Sequence, residues 1–227
     1  MVHSKYVNGY LVYYDDYEHR WLKAIGPAAR EWEMRYGTDF TTAKEYTNTQ
    51  IGTSPTTQGI TAGIRAAMLT TTTEYQGAQL QVVGTPFQIA SGKPFYFGAK
   101  VSVDQATESD FFVGLAELDT TLLATSSAHA LNHTNSVAFF KKDGATATLA
   151  GTVTAGATVA AAFTTGDHIY EIMFDGTAMH FYYDASLVST ITSGWPTVVL
   201  SPSIALMSGT TTALHGLVSW MRCIQLP

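Results

Sequence analysis

The chain has 227 residues, 46% of them apolar and only 13% charged, with 18 acidic against 12 basic side chains and a net charge of −6. Such a length buries a substantial core, and low charge with high apolar content excludes intrinsic disorder. So few cations leave no stripe of Lys and Arg to neutralise successive phosphates, which argues against nucleic acid as a partner. No apolar run approaches the length of about 18 residues that a membrane-spanning helix needs. Cys223 is the single cysteine and lies in the apolar run 218–224, so an inert buried thiol is expected. Residues 1–6 pass directly into aromatic and polar positions without the apolar stretch of a secretory signal, which implies synthesis in a cytoplasm.

Residues 1–60 differ in texture from the remainder. They hold Lys5, Arg20, Lys23, Arg30, Arg35 and Lys44, half of the basic residues, together with Trp21 and Trp32. We read them as an N-terminal extension, followed by one β domain over residues 61–227. Within the extension, residues 9–14 have strand composition, and Asp15, Asp16 and Glu18 frame a polar turn before residues 19–22, which predicts a hairpin. Pro27 and Gly37 bracket a segment with the punctuation of a short helix over residues 27–36. Residues 41–61 are rich in Thr, Gln, Asn and Gly with Pro55 among them, and predict an extended linker or arm.

Beyond residue 60 short strands follow one another between turn signals, the pattern of an all-β jelly roll or antiparallel β-sandwich. Residues 95–103 place apolar side chains at every odd position, the period-two signature of a half-buried strand. Further strands are expected at 111–118, 136–141, 168–174, 179–183, 198–207 and 216–225. Asp143-Gly144 and Asp175-Gly176 supply hairpin turns. Residues 145–163, nearly all Ala, Thr, Val and Gly, read as strand, turn, strand.

Signatures of chemistry are sparse. The sequence has no G-x-S-x-G elbow, no phosphate-binding G-x-x-x-x-G-K-[ST] and no H-E-x-x-H. His129 and His133 are spaced as a metal pair, but the intervening residues supply no Glu and the segment 125–136 reads as a loop, so no metal site is assigned. Glu117 and Asp119, two apart at a strand end, share a side of the sheet. That pair resembles the opening of the E-x-D-x-x-E stretch of laminarinase-like glycoside hydrolases. The sequence then continues Thr120-Thr121-Leu122-Leu123, so the second carboxylate of a retaining mechanism is missing, and we expect no enzyme activity, no catalytic residue and no cofactor. Tyr96, Tyr170, Tyr182, Tyr183 and Trp195 are candidates for a sugar-stacking platform. Tyr6, Tyr10, Tyr13, Tyr14, Tyr17 and Trp21 exceed what a peripheral hairpin can bury, and with Trp32 they form the candidate interface for a partner or a neighbouring subunit.

From about residue 68 onward the chain resembles the concanavalin-like jelly-roll structural proteins of tailed bacteriophages, including capsid decoration or cement proteins. The stretches that carry the resemblance are residues 74–81, 94–100, 109–116, 140–144, 172–176, 201–205 and 220–222, in that order. The resemblance implies a virion protein on the capsid exterior whose partners are the major capsid protein and further copies of itself. A homotrimer fits three-fold capsid positions and a dimer is the alternative. No catalytic residues are carried over with it. A second function remains open, a glycan-binding module of a phage tail fibre or spike.

Overall fold

The computed structural model describes residues 4–7, 10–15, 20–23, 30–35, 46–52, 58–61, 65–83, 87–144, 147–152 and 156–225, and no helix occurs among them. In chain order the strands begin with β1 (Ser4–Val7), β2 (Tyr10–Asp15), β3 (Arg20–Lys23), β4 (Arg30–Arg35), β5 (Tyr46–Ile51) and β6 (Gln58–Thr61). Next come β7 (Arg65–Leu69), β8 (Gly77–Val82), β9 (Phe87–Gln88), β10 (Phe95–Val103), β11 (Ser109–Ala116) and β12 (Ser136–Lys141). The last are β13 (Ala147–Thr152), β14 (Gly156–Ala162), β15 (Gly166–Phe174), β16 (Met179–Tyr183), β17 (Ser186–Ile191), β18 (Val199–Ser208) and β19 (His215–Gln225).

These strands form two antiparallel 8-stranded sheets and one 3-stranded sheet. One large sheet runs β17-β16-β15-β10-β19-β7-β6 with β4 also on β19, and the other runs β14-β13-β12-β11-β18-β8-β5 with β9 also on β18. They are named below the β10 sheet and the β11 sheet. The small sheet is β1-β2-β3. The fold is therefore the all-β antiparallel sandwich that the turn spacing predicts, and the leader hairpin forms between β2 and β3 with Tyr14 opposite Trp21.

Alternation along each strand builds the core. Phe95, Phe97, Ala99, Val101 and Val103 of β10 meet Phe111, Val113 and Leu115 of β11, Val137 and Phe139 of β12, Tyr170, Ile172 and Phe174 of β15, and Ile204 and Leu206 of β18. Ring contacts tie the layers, with Phe139 edge-on to both Tyr170 (5.5 Å) and Phe181 (5.4 Å). Burial of each such Phe stabilises the fold by about 2 kcal/mol. Cys223 lies inside this core, where burial pushes its thiol well above the ordinary range, so it stays protonated and inert.

The helix expected over residues 27–36 is not formed, because residues 30–35 are strand β4 on the edge of β19. The sequence explains the correction: Glu31, Trp32, Glu33, Met34 and Arg35 alternate polar with apolar at period two, and that outweighs the Pro and Gly punctuation. The register sets Trp32 opposite Cys223 and Met34 opposite Met221, two fully buried core residues. Residues 27–29, 36 and 37 lie outside the described residues. Two pieces of the expected linker, residues 46–51 and 58–61, are strands paired with β8 and β7.

Candidate functional site

The outward faces of the two large sheets differ in chemistry. On the β11 sheet the outward positions are Phe112 and Ala116 of β11, Ala138 of β12, and Ala205 and Met207 of β18, all buried. They are covered by the chain itself, since Leu122 and Leu123 from the segment 117–135 join the same cluster. Two buried glutamines of β8 clamp this strap. Gln79 Nε2 donates to Asp119 O (2.7 Å) while its Oε1 accepts from Leu122 N (2.8 Å). Gln81 Nε2 donates to Glu117 O (3.0 Å) and its Oε1 accepts from Asp119 N (3.0 Å).

Glu117 and Asp119, the carboxylates singled out from sequence, are part of this clamp. Glu117 Oε1 accepts from Thr134 N (2.9 Å) and Asn135 N (3.1 Å), and Oε2 accepts from Asn135 Nδ2 (3.0 Å). Burial pushes the Glu117 carboxyl up, but these donors outweigh it and hold it below the usual glutamate range. Asp119 Oδ1 accepts from Thr121 N (2.9 Å) and closes a local turn.

His129 and His133 diverge. His129 Nδ1 donates to Asp110 Oδ2 (2.8 Å), its Nε2 lies 3.7 Å from Asp143 Oδ2, and its ring packs 5.4 Å from that of Tyr75. His133 is buried, with Nδ1 donating to Leu122 O (3.1 Å) and its ring edge-on to Phe112, and burial lowers its pKa. Burial raises the Asp110 carboxyl above its ordinary range despite the bonds from His129 and Asp143 N. Beside it Lys141 is fully buried, donates from Nζ to Thr107 O (2.8 Å) and Ser109 O (2.7 Å), and is pushed down to about 8 by burial.

The β10 sheet presents the opposite surface. Its inward neighbours place Tyr96 and Lys100 of β10, Glu171 and Met173 of β15, His180 and Tyr182 of β16, and Trp220 and Arg222 of β19 on the outward side. One row across this face reads Tyr182, Glu171, Gly98, Arg222. Gly98 has a physical cause: a Cβ there would collide with the Tyr96 ring, which lies across the strand toward Trp220. Tyr96 O–H donates to Glu171 Oε1 (2.8 Å). Tyr96 and Tyr182 are half-buried, Met173 is exposed, and Glu171, Trp220 and Arg222 are buried. His180 Nε2 donates to Asp175 Oδ2 (3.1 Å), and Asp175 is held well below its ordinary pKa chiefly by Ala178 N, His180 and Thr177.

Of the five residues expected as a sugar-stacking platform, Tyr96 and Tyr182 stand on this outward face. Tyr170 is a core residue, and Tyr183 and Trp195 pack against the core. Trp220, Glu171 and Arg222 were missed by the sequence reading, and the signal for them was the polar residues Glu171 and Arg222 at alternate positions inside apolar strands. Among the candidate interface residues, Tyr6 lies in β1, Tyr10, Tyr13 and Tyr14 in β2, and Trp21 in β3, whereas Trp32 lies in β4 of the β10 sheet. Tyr17 is outside the described residues.

This architecture is the concanavalin-like jelly roll, a fold of lectins and glucanases. Lectin I from Ulex europaeus, in complex with the methyl glycoside of α-L-fucose, aligns with a TM-score of 0.60 at 11% identity over 87% of this chain and 98% of its own. An endo-1,3-β-glucanase from Streptomyces sioyaensis aligns with 0.58 at 11% identity over 89% and 98%. The Crh5 transglycosylase in complex with NAG aligns with 0.59 at 12% identity over 87% and 85%. No protein-family model and no curated protein sequence matches the chain. At these identities the likeness defines the fold. It also corrects the expectation that the chain is not an enzyme: the same sandwich carries a glucanase and a transglycosylase as well as lectins, so missing contiguous motifs do not exclude catalysis by carboxylates brought together from separate strands.

Proposed function

We propose that this chain is a structural protein of a bacteriophage particle, a decoration or cement protein that binds the major capsid lattice on the virion exterior and is made in the host cytoplasm. The observation that carries this reading is the build of the leader. Among the described residues β1, β2 and β3 pair only with one another, and this small sheet carries Tyr6, Tyr10, Tyr13, Tyr14 and Trp21 in its strands. Tyr and Trp at that density suit a protein interface, where large amphipathic side chains supply most of the binding energy. The ordered stretches that resemble phage jelly-roll proteins support the same reading, and symmetric copies, as a trimer or dimer, fit a capsid lattice. The test is co-sedimentation with capsids lacking the protein: the full-length chain pellets with capsids, and a chain starting at residue 25 does not. Pelleting by both, or by neither, rejects the leader as the capsid anchor.

A second reading is glycan recognition on the outward face of the β10 sheet. It is favoured by Tyr96 and Tyr182 beside Glu171 and Arg222, aromatic faces next to convergent polar groups on a fold shared with lectins. Retention of the protein on host-cell polysaccharide, lost on Tyr182→Ala, supports it; absence of retention removes it.

A further inference from the structure

The connection from β14 into β15 and the turn after β16 bring three groups into line that neither the core nor the open face uses. Phe163 is buried in the core and anchors the connection, while Thr164 just beyond it is exposed. Thr164 Oγ1–H donates to Nε2 of His168 (2.9 Å), and Nδ1 of the same ring donates to Asp184 Oδ2 (2.7 Å). A carboxylate only accepts, so Asp184 fixes the proton on Nδ1 and leaves Nε2 of the neutral ring as a base turned to the hydroxyl. These distances are those of a hydroxyl nucleophile, its general base and the group that orients the base.

Ring and carboxylate are both held in place. His168 shares the core side of β15 with Tyr170, stacks on Tyr183 at 4.9 Å and 25°, and keeps only 15% of its side chain exposed. Asp184 donates from its backbone N to Ile169 O (2.9 Å) and accepts from Ile169 N at Oδ1 (2.8 Å). Gly166, at φ 107°, turns the chain between hydroxyl and ring, and a Cβ there would meet nothing within 4 Å, so the approach on that side is open. Ala162, Thr165 and Gly166 around the hydroxyl are small or polar and build no apolar channel, which suits a short acyl group. A looser chain with the ring reversed stands on the outward face of the β10 sheet, where Thr190 Oγ1 lies 3.2 Å from His180 Nδ1 and Nε2 lies 3.1 Å from Asp175 Oδ2.

We propose that Thr164, His168 and Asp184 form a hydrolytic triad for short-chain acyl esters, with Thr164 Oγ1 as the nucleophile and Asp184 as the positioning residue. Oγ1 bonds to the acyl carbon as its proton passes to Nε2 of His168. The imidazolium is held by Asp184 Oδ2 and by Thr165 O, 3.4 Å from Nε2, and gives the proton to the leaving alcohol oxygen as the ester C–O bond breaks. Water then attacks the acyl-Thr164 ester and passes a proton to His168, which returns it to Oγ1 as the carboxylic acid leaves.

The test is hydrolysis of p-nitrophenyl acetate by the full-length protein, with the acetyl group located by peptide mass spectrometry. The native chain turns the ester over and carries acetyl on Thr164. Thr164→Val and His168→Ala each slow acetylation about a hundredfold or more, and Thr164→Ser keeps it. Asp184→Asn lowers kcat and leaves KM unchanged, in a backbone conformation (φ 49°) that asparagine tolerates, so a matched thermal melt separates this loss from unfolding. Thr190→Val, in the looser chain, leaves the rate unchanged. Acetyl absent from Thr164 in the native chain, a Thr164→Val rate equal to the native one, or a Thr164→Ser chain as slow as Thr164→Val overturns the proposal. The adduct on the native chain is read without any variant, so a variant that fails to fold does not shield the proposal.

Discussion

The outward faces of the two large sheets solve the same problem in different ways. On the β11 sheet Phe112, Ala116, Ala138, Ala205 and Met207 are too apolar to meet water, and the chain spends residues 117–135 on a strap that covers them with Leu122 and Leu123. On the β10 sheet Tyr96, Lys100, His180 and Tyr182 can remain partly exposed because each offers a polar group, with Tyr96 bonded to the buried Glu171. A covered face reports on stability, and an open amphipathic face reports on recognition. Substitutions on the covered face should therefore hurt folding, and those on the open face should spare it.

The largest effect is expected on the covered face. Leu122→Ala removes a fully buried side chain from the strap and should lower unfolding free energy by about 3 kcal/mol, measured by urea denaturation. Next comes the latch beside it. His129→Ala deprives the buried Asp110 carboxylate of its ring partner, a loss of about 2 kcal/mol near neutral pH. Because burial raises the Asp110 pKa in the folded state, the folded chain holds that proton more tightly than the unfolded chain, and stability falls as pH rises through the folded value. The His129→Ala chain, lacking a group that lowers this pKa, should lose stability over a wider pH span than the native protein in a pH series of urea midpoints.

Glu117→Gln is expected to cost about 1 kcal/mol, by weakening the charge-assisted bonds to Thr134 and Asn135. Its lowered folded pKa gives the opposite sign from Asp110: stability is present above the ordinary glutamate value and is lost as pH falls through the folded value. A native acid limb that the Glu117→Gln chain does not share would confirm the assignment. On the open face Tyr182→Ala should change stability by less than about 1 kcal/mol. Finally, Ala185 occupies a left-handed conformation (φ 64°) in the turn between β16 and β17, and Ala185→Gly should raise stability by about 0.5 kcal/mol, the relief of strain less the entropy of glycine.

Much of the sandwich was legible in the sequence, because strands with one face in the core keep period two. Residues 95–103, 136–141 and 179–183 are strands with the expected bounds, and Asp143-Gly144 and Asp175-Gly176 lie in turns between paired strands. The strap was not legible: Leu122 and Leu123 sit in a Thr-rich stretch without periodicity, and their burial depends on Gln79 and Gln81, more than 35 residues away. Separation in the chain also hid the roles of Glu117 and His129, whose side-chain partners Asn135 and Asp110 lie 18 and 19 residues away. The leader helix was misread because Pro27 and Gly37 are local signals, whereas the pairing of β4 with β19 spans nearly the whole chain.

The arrangement of β4, β5 and β6 in the large sheets also decides how the central claim is tested, since cutting at residue 60 would remove sandwich strands, whereas cutting after residue 24 removes β1, β2 and β3 alone. The most direct measurement is capsid co-sedimentation of the full-length chain beside the chain from residue 25, with matched thermal melts. Binding by the full-length chain alone, at equal melting temperature, is the predicted result; equal binding by the truncated chain would contradict the account of the leader as the anchor.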